Sequence, residues 1–78
     1  MASACVLLAE GFEEIEAITV IDVLRRAEVE VTTAGLAKRN VKGAHGIKVV
    51  ADTVVAELGE RPFDLLYLPG GLPGAHNL

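Results

Sequence analysis

The chain alternates between short apolar runs and polar, glycine-rich breaks. Residues 4–9 (ACVLLA) form a continuous apolar run, the pattern of a strand buried on both faces. EGFEE interrupts it. Residues 13–27 (EEIEAITVIDVLRRA) then read as a helix, with acids in the first turn, arginines in the last, and no Gly or Pro inside. Residues 29–35 (VEVTTAG) alternate and are β-branched, which predicts a strand ending at Gly35. LAKRNVKGAHG is polar and rich in turn residues. Residues 47–55 predict another strand with a short helical turn through Glu57, and residues 63–68 the last one. Strands alternating with a helix imply parallel crossovers and an α/β, doubly wound, mainly parallel sheet. Ligands of such sheets sit outside the carboxyl ends of the strands, where strand order reverses. Two loops leave carboxyl ends here, Glu10-Gly11-Phe12 and Pro69-Gly70-Gly71.

On a helical wheel, at about 100° per residue, Ala17, Val20, Ile21, Val23, Leu24 and Ala27 share the face expected against the sheet. Glu14, Thr19, Asp22, Arg25 and Arg26 share the face expected in solvent. Ile15 and Ile18 fall among the charges, one turn apart; they are either scattered surface apolars or the centre of a contact with a second subunit. Glu13 and Glu16 lie on or beside the apolar face. Complementing the helix dipole accounts for Glu13 and Glu14. Glu16 is deeper and nearer the apolar face, so it is the candidate for sharing a proton with a reactive group. Pro69-Gly70-Gly71 is either a plain turn or a place where backbone N–H groups approach a ligand or an oxyanion.

Composition narrows the class. A chain of 78 residues holds one small domain and buries only roughly 60–65% of its unfolded surface. One cysteine provides no disulfide framework. These features, with a 51% hydrophobic fraction, lead to the expectation that the chain is part of a larger domain. The net charge of −4 argues against nucleic acid, and no apolar run approaches the ~20 residues of a membrane span. No positively charged lead-in precedes the first apolar run, so a signal peptide is not expected and a cytoplasmic location is. Cys5 reads as a buried structural thiol, and His45 and His76 as loop residues. No Cys, His or carboxylate spacing makes a metal site.

VLLAEGFEEIEAITVIDVLRRAEVEVTTAGL followed by FDLLYLPGGLPGAHNL resembles the amino-terminal part of the DJ-1/PfpI superfamily, on its DJ-1-like side. Across residues 37–48, GAHGI looks more like the PfpI-type peptidases. The resemblance implies a flavodoxin-like fold, with residues 1–78 as the amino-terminal half of a single domain and the remainder on a second chain or missing, and a homodimer of the completed domain. It also implies a nucleophilic cysteine on a strained elbow with a histidine nearby, both in the complementary carboxy-terminal half. Glu16 then corresponds to the glutamate that hydrogen-bonds the cysteine sulfur. Gly70 and Gly71 correspond to the backbone on the oxyanion side, with the Gly71 N–H as donor. Ile15 corresponds to an interface residue. His45 stands where close relatives carry an arginine on a dimer-facing hairpin. The implied activity is cofactor-independent conversion of small α-oxoaldehydes, methylglyoxal to lactate, with removal of early glycation adducts and protection against oxidative stress. The alternatives are a redox sensor or chaperone acting through a cysteine sulfinate, and a PfpI-type cysteine peptidase. Turnover of methylglyoxal, of an oxidant or of a peptide separates the three.

Overall fold

The computed structural model describes residues 2–70. The elements in chain order are β1 (Ser3–Leu8), α1 (Glu14–Arg26), β2 (Glu30–Gly35), β3 (Asn40–Lys42), β4 (Lys48–Val50), β5 (Thr53–Val54), a 3-10 turn (Val55–Glu57) and β6 (Leu65–Tyr67). Four strands form one sheet in the order β5-β2-β1-β6, and all of its pairings are parallel. β3 and β4 form a separate antiparallel hairpin. The chain moves from β1 outward through β2 to β5, then returns to the other side of β1 as β6. Strand order therefore reverses at β1, and the crevice of a doubly wound sheet lies between the carboxyl ends of β1 and β6.

The apolar run of β1 makes it the central strand. Ala4, Val6 and Leu8 join Phe12, Ala17, Ile21, Val31, Val41 and Ala51 in the core, with Leu24 and Tyr67 packed against them. Alternation along the strand sends Cys5 to the other face, where it is fully buried. Burial raises the pKa of its thiol, and the nearby Arg61 only partly opposes this. Arg61 itself is placed by a 3.3 Å hydrogen bond to Thr32 Oγ1 and by the Phe63 ring, whose centroid lies 5.2 Å from its guanidinium carbon.

Three sequence expectations need correction. The single strand expected over 47–55 divides at Ala51 and Asp52. Lys48–Val50 pairs antiparallel with β3, whereas Thr53–Val54 enters the main sheet beside β2. Asp52 makes the division. Its carboxylate accepts from the Thr33 N–H at 2.9 Å, and its own N–H donates to Thr33 Oγ1 at 2.8 Å, which fastens the chain to β2. The stretch read as polar and turn-rich contains β3. On α1, Val23 is 56% exposed and Ala27 is also exposed, so neither lies on the sheet, while Glu14, expected in solvent, is buried.

β6 stands at the sheet edge. Its neighbouring residues Leu65 and Leu66 point to opposite faces, and they are 45% and 58% exposed. Strands of parallel sheets are normally covered on both faces. Among the described residues no helix is long and apolar enough to cross a membrane.

Candidate functional site

The first turn of α1 is held between the β3–β4 hairpin on one side and the turn after β6 on the other. The hairpin attaches first through backbone. The Gly11 N–H donates to Lys42 O at 2.9 Å, and the Ala44 N–H donates to Phe12 O at 2.8 Å. Phe12 anchors the loop by burying its ring in the core. The hairpin loop then closes around the Glu14 carboxylate. His45 Nδ1 lies 2.9 Å from Oε1, and the N–H groups of His45 and Ile47 donate to Oε2 at 2.7 and 3.3 Å. With Oε1 ionised, Nδ1 is the donor. Two glycines allow this shape. Gly46 turns the loop at φ +86°, and a Cβ on Gly43 would collide with the Glu14 carboxyl group.

Burial pushes the Glu14 carboxyl up. The His45 ring, its own backbone N–H and the N–H groups of His45 and Ile47 outweigh that and hold it at about 2. His45 is raised, first by its hydrogen bond to Glu14, then by the charges of Glu13 and Glu14, with burial acting weakly against them. Glu13 Oε1 is 3.7 Å from His45 Nδ1. The three residues place one ligand-type atom each within 4.8 Å of one another, a grouping that spacing along the chain did not reveal. Both Glu14 oxygens and the His45 nitrogen that faces them are already committed to hydrogen bonds, so the group is organised as an ion-pair cluster.

On the other side, the Glu13 N–H donates to Gly70 O at 2.7 Å, and the Gly70 N–H donates to Glu16 Oε1 at 3.3 Å. A Cβ on Gly70 would lie 3.0 Å from Oε1, closer than a side chain tolerates without displacing Glu16. The fold thus brings Glu16 and Gly70 together in the crevice between β1 and β6. Gly71 and His76 lie outside the described residues. Glu16 is exposed in this chain; the buried carboxylate of the turn is Glu14. His45 lies against Glu14 and Glu13. Ile15 and Ile18 are exposed, at 75% and 45%.

The sequence reading missed Glu14 because its partners are 31 and 33 residues away. The available signal was KGAHG, in which Gly43 and Gly46 flank a potential cationic donor in a turn.

The fold and this clasped turn define an α/β protein of the flavodoxin-like, doubly wound class. The DJ-1/PfpI family matches residues 2–78, and the chain belongs to that family. It is 47% identical over 72 residues to Protein DJ-1 homolog B of Arabidopsis thaliana, covering 91% of this chain and 16% of that protein. It is 40% identical over 77 residues to the glutathione-independent glyoxalase DJR-1.2 of Caenorhabditis elegans, covering 97% of this chain and 41% of that protein. The crystal structure of a mutant DJ-1 superfamily protein from Salmonella typhimurium matches with a TM-score of 0.96 at 45% identity, over 99% of this chain and 42% of that one. The chain therefore spans less than half the length of these relatives.

The Glu14–His45 pair makes docking of the hairpin depend on pH. Glu14, lowered in the fold, contributes fully above its ordinary value of 4.5, and this is lost as pH falls toward about 2. His45, raised in the fold, contributes fully below its ordinary 6.5, and this is lost as pH rises through its higher folded value. Hydrogen-exchange protection factors of the His45 and Ile47 amides should be highest between these two ordinary values and decline on both sides. His45→Leu should remove the decline at high pH. Protection in the unsubstituted protein that stays constant well above pH 6.5 would contradict the ion pair.

Proposed function

We propose that this chain provides Glu16, Gly70 and Gly71 to a cysteine-dependent, cofactor-independent enzyme that converts small α-oxoaldehydes, methylglyoxal among them, to α-hydroxy acids. The observation that carries the reading is the Glu16 carboxyl group resting on the Gly70 N–H in the crevice between β1 and β6. A relative named as a glutathione-independent glyoxalase supports the same chemistry. The nucleophilic cysteine and a histidine come from a complementary carboxy-terminal segment. The two open faces of β6 support that completion, since a parallel strand so exposed lacks its normal cover. Cys5 is excluded as the nucleophile because it is fully buried and burial raises its thiol pKa.

In this reading the thiolate sulfur forms a bond to the aldehyde carbon, and the carbonyl π electrons move to oxygen. The Gly71 N–H stabilises the resulting oxyanion, and Glu16 relays the proton that neutralises it. The hydrogen on the former aldehyde carbon then moves as a proton to the neighbouring carbonyl carbon, which is reduced as the first carbon becomes a thioester. Water cleaves the carbon–sulfur bond to release lactate and the thiol; the overall conversion adds one water and needs no external oxidant or reductant. The Gly70 N–H fixes Oε1 as an acceptor, which leaves Oε2 to carry the transferred proton. The completed domain acts as a homodimer with Ile15 and Ile18 at the contact, two apolar side chains a turn apart with high exposure.

Glu16→Gln in the completed domain should lower methylglyoxal turnover by roughly 10²–10⁴-fold, because an amide cannot relay a proton. Glu16→Leu should in addition raise the pKa of the nucleophilic thiol, read from thiolate absorbance against pH. Full turnover by Glu16→Gln would remove Glu16 from the chemistry. Ile15→Glu should shift the sedimentation of the completed domain from dimer toward monomer, by setting like charges against each other across a two-fold contact. An unchanged dimer would return Ile15 to the ordinary surface.

A further inference from the structure

The end of α1 that carries Glu16 is fixed in an unusual way. Glu13 stands at the helix N-cap, and its side chain makes no capping hydrogen bond. Helix ends leave backbone donors that need partners, and here the N-cap donor is met by the turn after β6. The Glu13 N–H is taken by Gly70 O, and the Ala17 N–H closes the turn on Glu13 O at 3.0 Å. Within this turn Ile15 and Glu16 are exposed, while Glu14 is only 5% exposed. Its carboxylate accepts from one ring nitrogen and two backbone N–H groups of the hairpin loop. The loop is shaped to that carboxylate, because Gly43 has no space for a Cβ beside it. A buried carboxylate with several donors is costly to displace, and a helical turn moves as a unit. Wherever Glu14 is held, Glu16 follows.

We propose that Glu14 is a positioning residue for this site: clasped by His45 and the 43–47 loop, it sets the depth of the first turn of α1 and so the contact of Glu16 with Gly70. The inference rests on the reading of Glu16 as the proton relay. It adds that the hairpin, through a residue that does not touch substrate, determines whether the relay is in place. Misplacing a catalytic group by about 1 Å costs up to about 10²-fold in rate. Glu14→Leu keeps much of the volume but removes both acceptor oxygens, which leaves the His45 and Ile47 N–H groups without their partner, so the loop and the turn must separate.

The test is a double-mutant cycle in the completed domain, with methylglyoxal as substrate. Glu14→Leu should lower kcat by about 10²-fold with KM little changed. It should also lower the hydrogen-exchange protection of the Gly70 amide, a readout independent of turnover. Adding Glu14→Leu to Glu16→Gln should lower kcat no further, because the first acts only through the second. His45→Arg, which keeps a cationic donor, should retain kcat. His45→Leu, which removes only the exposed ring, should lose about tenfold and carries the test if Glu14→Leu does not fold. Losses that multiply in the double variant, or Glu14→Leu with unchanged kcat and unchanged Gly70 protection, would overturn the positioning role. If Glu16→Gln alone retains full turnover while Glu14→Leu still loosens Gly70, the relay reading fails and the structural coupling stands.

Discussion

The described structure turns on one buried carboxylate. Taking an ionised glutamate out of water is costly unless its oxygens are fully hydrogen-bonded. Glu14 meets that condition only when the loop between β3 and β4 lies across the start of α1. The requirement adds a polar anchor to a short hairpin that is also held by the buried Val41 and by backbone hydrogen bonds to the loop after β1. It explains the glycine at 43, where any side chain would enter the space of the carboxyl group. It also explains why Glu14 lies inside although its wheel position is polar. The hairpin covers a part of α1 that the main sheet does not reach. The same turn, through the Glu13 N–H and the Glu16 carboxyl group, meets Gly70 on its other side. The first turn of α1 thus links a peripheral hairpin to the crevice of the sheet.

What was legible in the sequence was what depends on local pattern. The run ACVLLA identified β1, the periodicity of 13–27 identified α1, and the β-branched alternation of 29–35 identified β2. Their order implied the parallel sheet, and the turn at Pro69-Gly70 was placed correctly beside the loop after β1. What was not legible depends on contacts far apart in sequence. Residues 47–55 read as one strand, and the reciprocal pair of Asp52 with Thr33 marks where they divide between two sheets. The burial of Glu14 needs His45 and Ile47, and nothing within the helix announces them. Val23 and Ala27 were assigned to the sheet because the wheel treats the whole helix alike, whereas α1 packs against β1 and β2 along only part of its length.

The candidate site was legible in part. Glu16 stood out because it sat deepest among the first-turn acids, and Gly70 because glycine followed an apolar strand. The structure joins the two in a hydrogen bond at the strand-order reversal, where doubly wound sheets bind ligands. The spacing of Glu13, Glu14 and His45 offered no hint of their association, since the histidine arrives from the hairpin.

The hydrogen bond from the His45 N–H to the Glu14 carboxylate can be observed directly. In uniformly ¹⁵N,¹³C-labelled protein within the completed domain, a through-hydrogen-bond scalar coupling between the His45 amide nitrogen and Glu14 Cδ should be present near pH 5.5, inside the interval from 4.5 to 6.5 where Glu14 is ionised and His45 is protonated. The backbone coupling from Gly11 N to the Lys42 carbonyl carbon serves as the internal reference for a docked hairpin. Observation of both couplings is the expected result. A reference coupling without the Glu14 coupling would mean that the hairpin docks through backbone alone, and would contradict the central role of the Glu14 carboxylate.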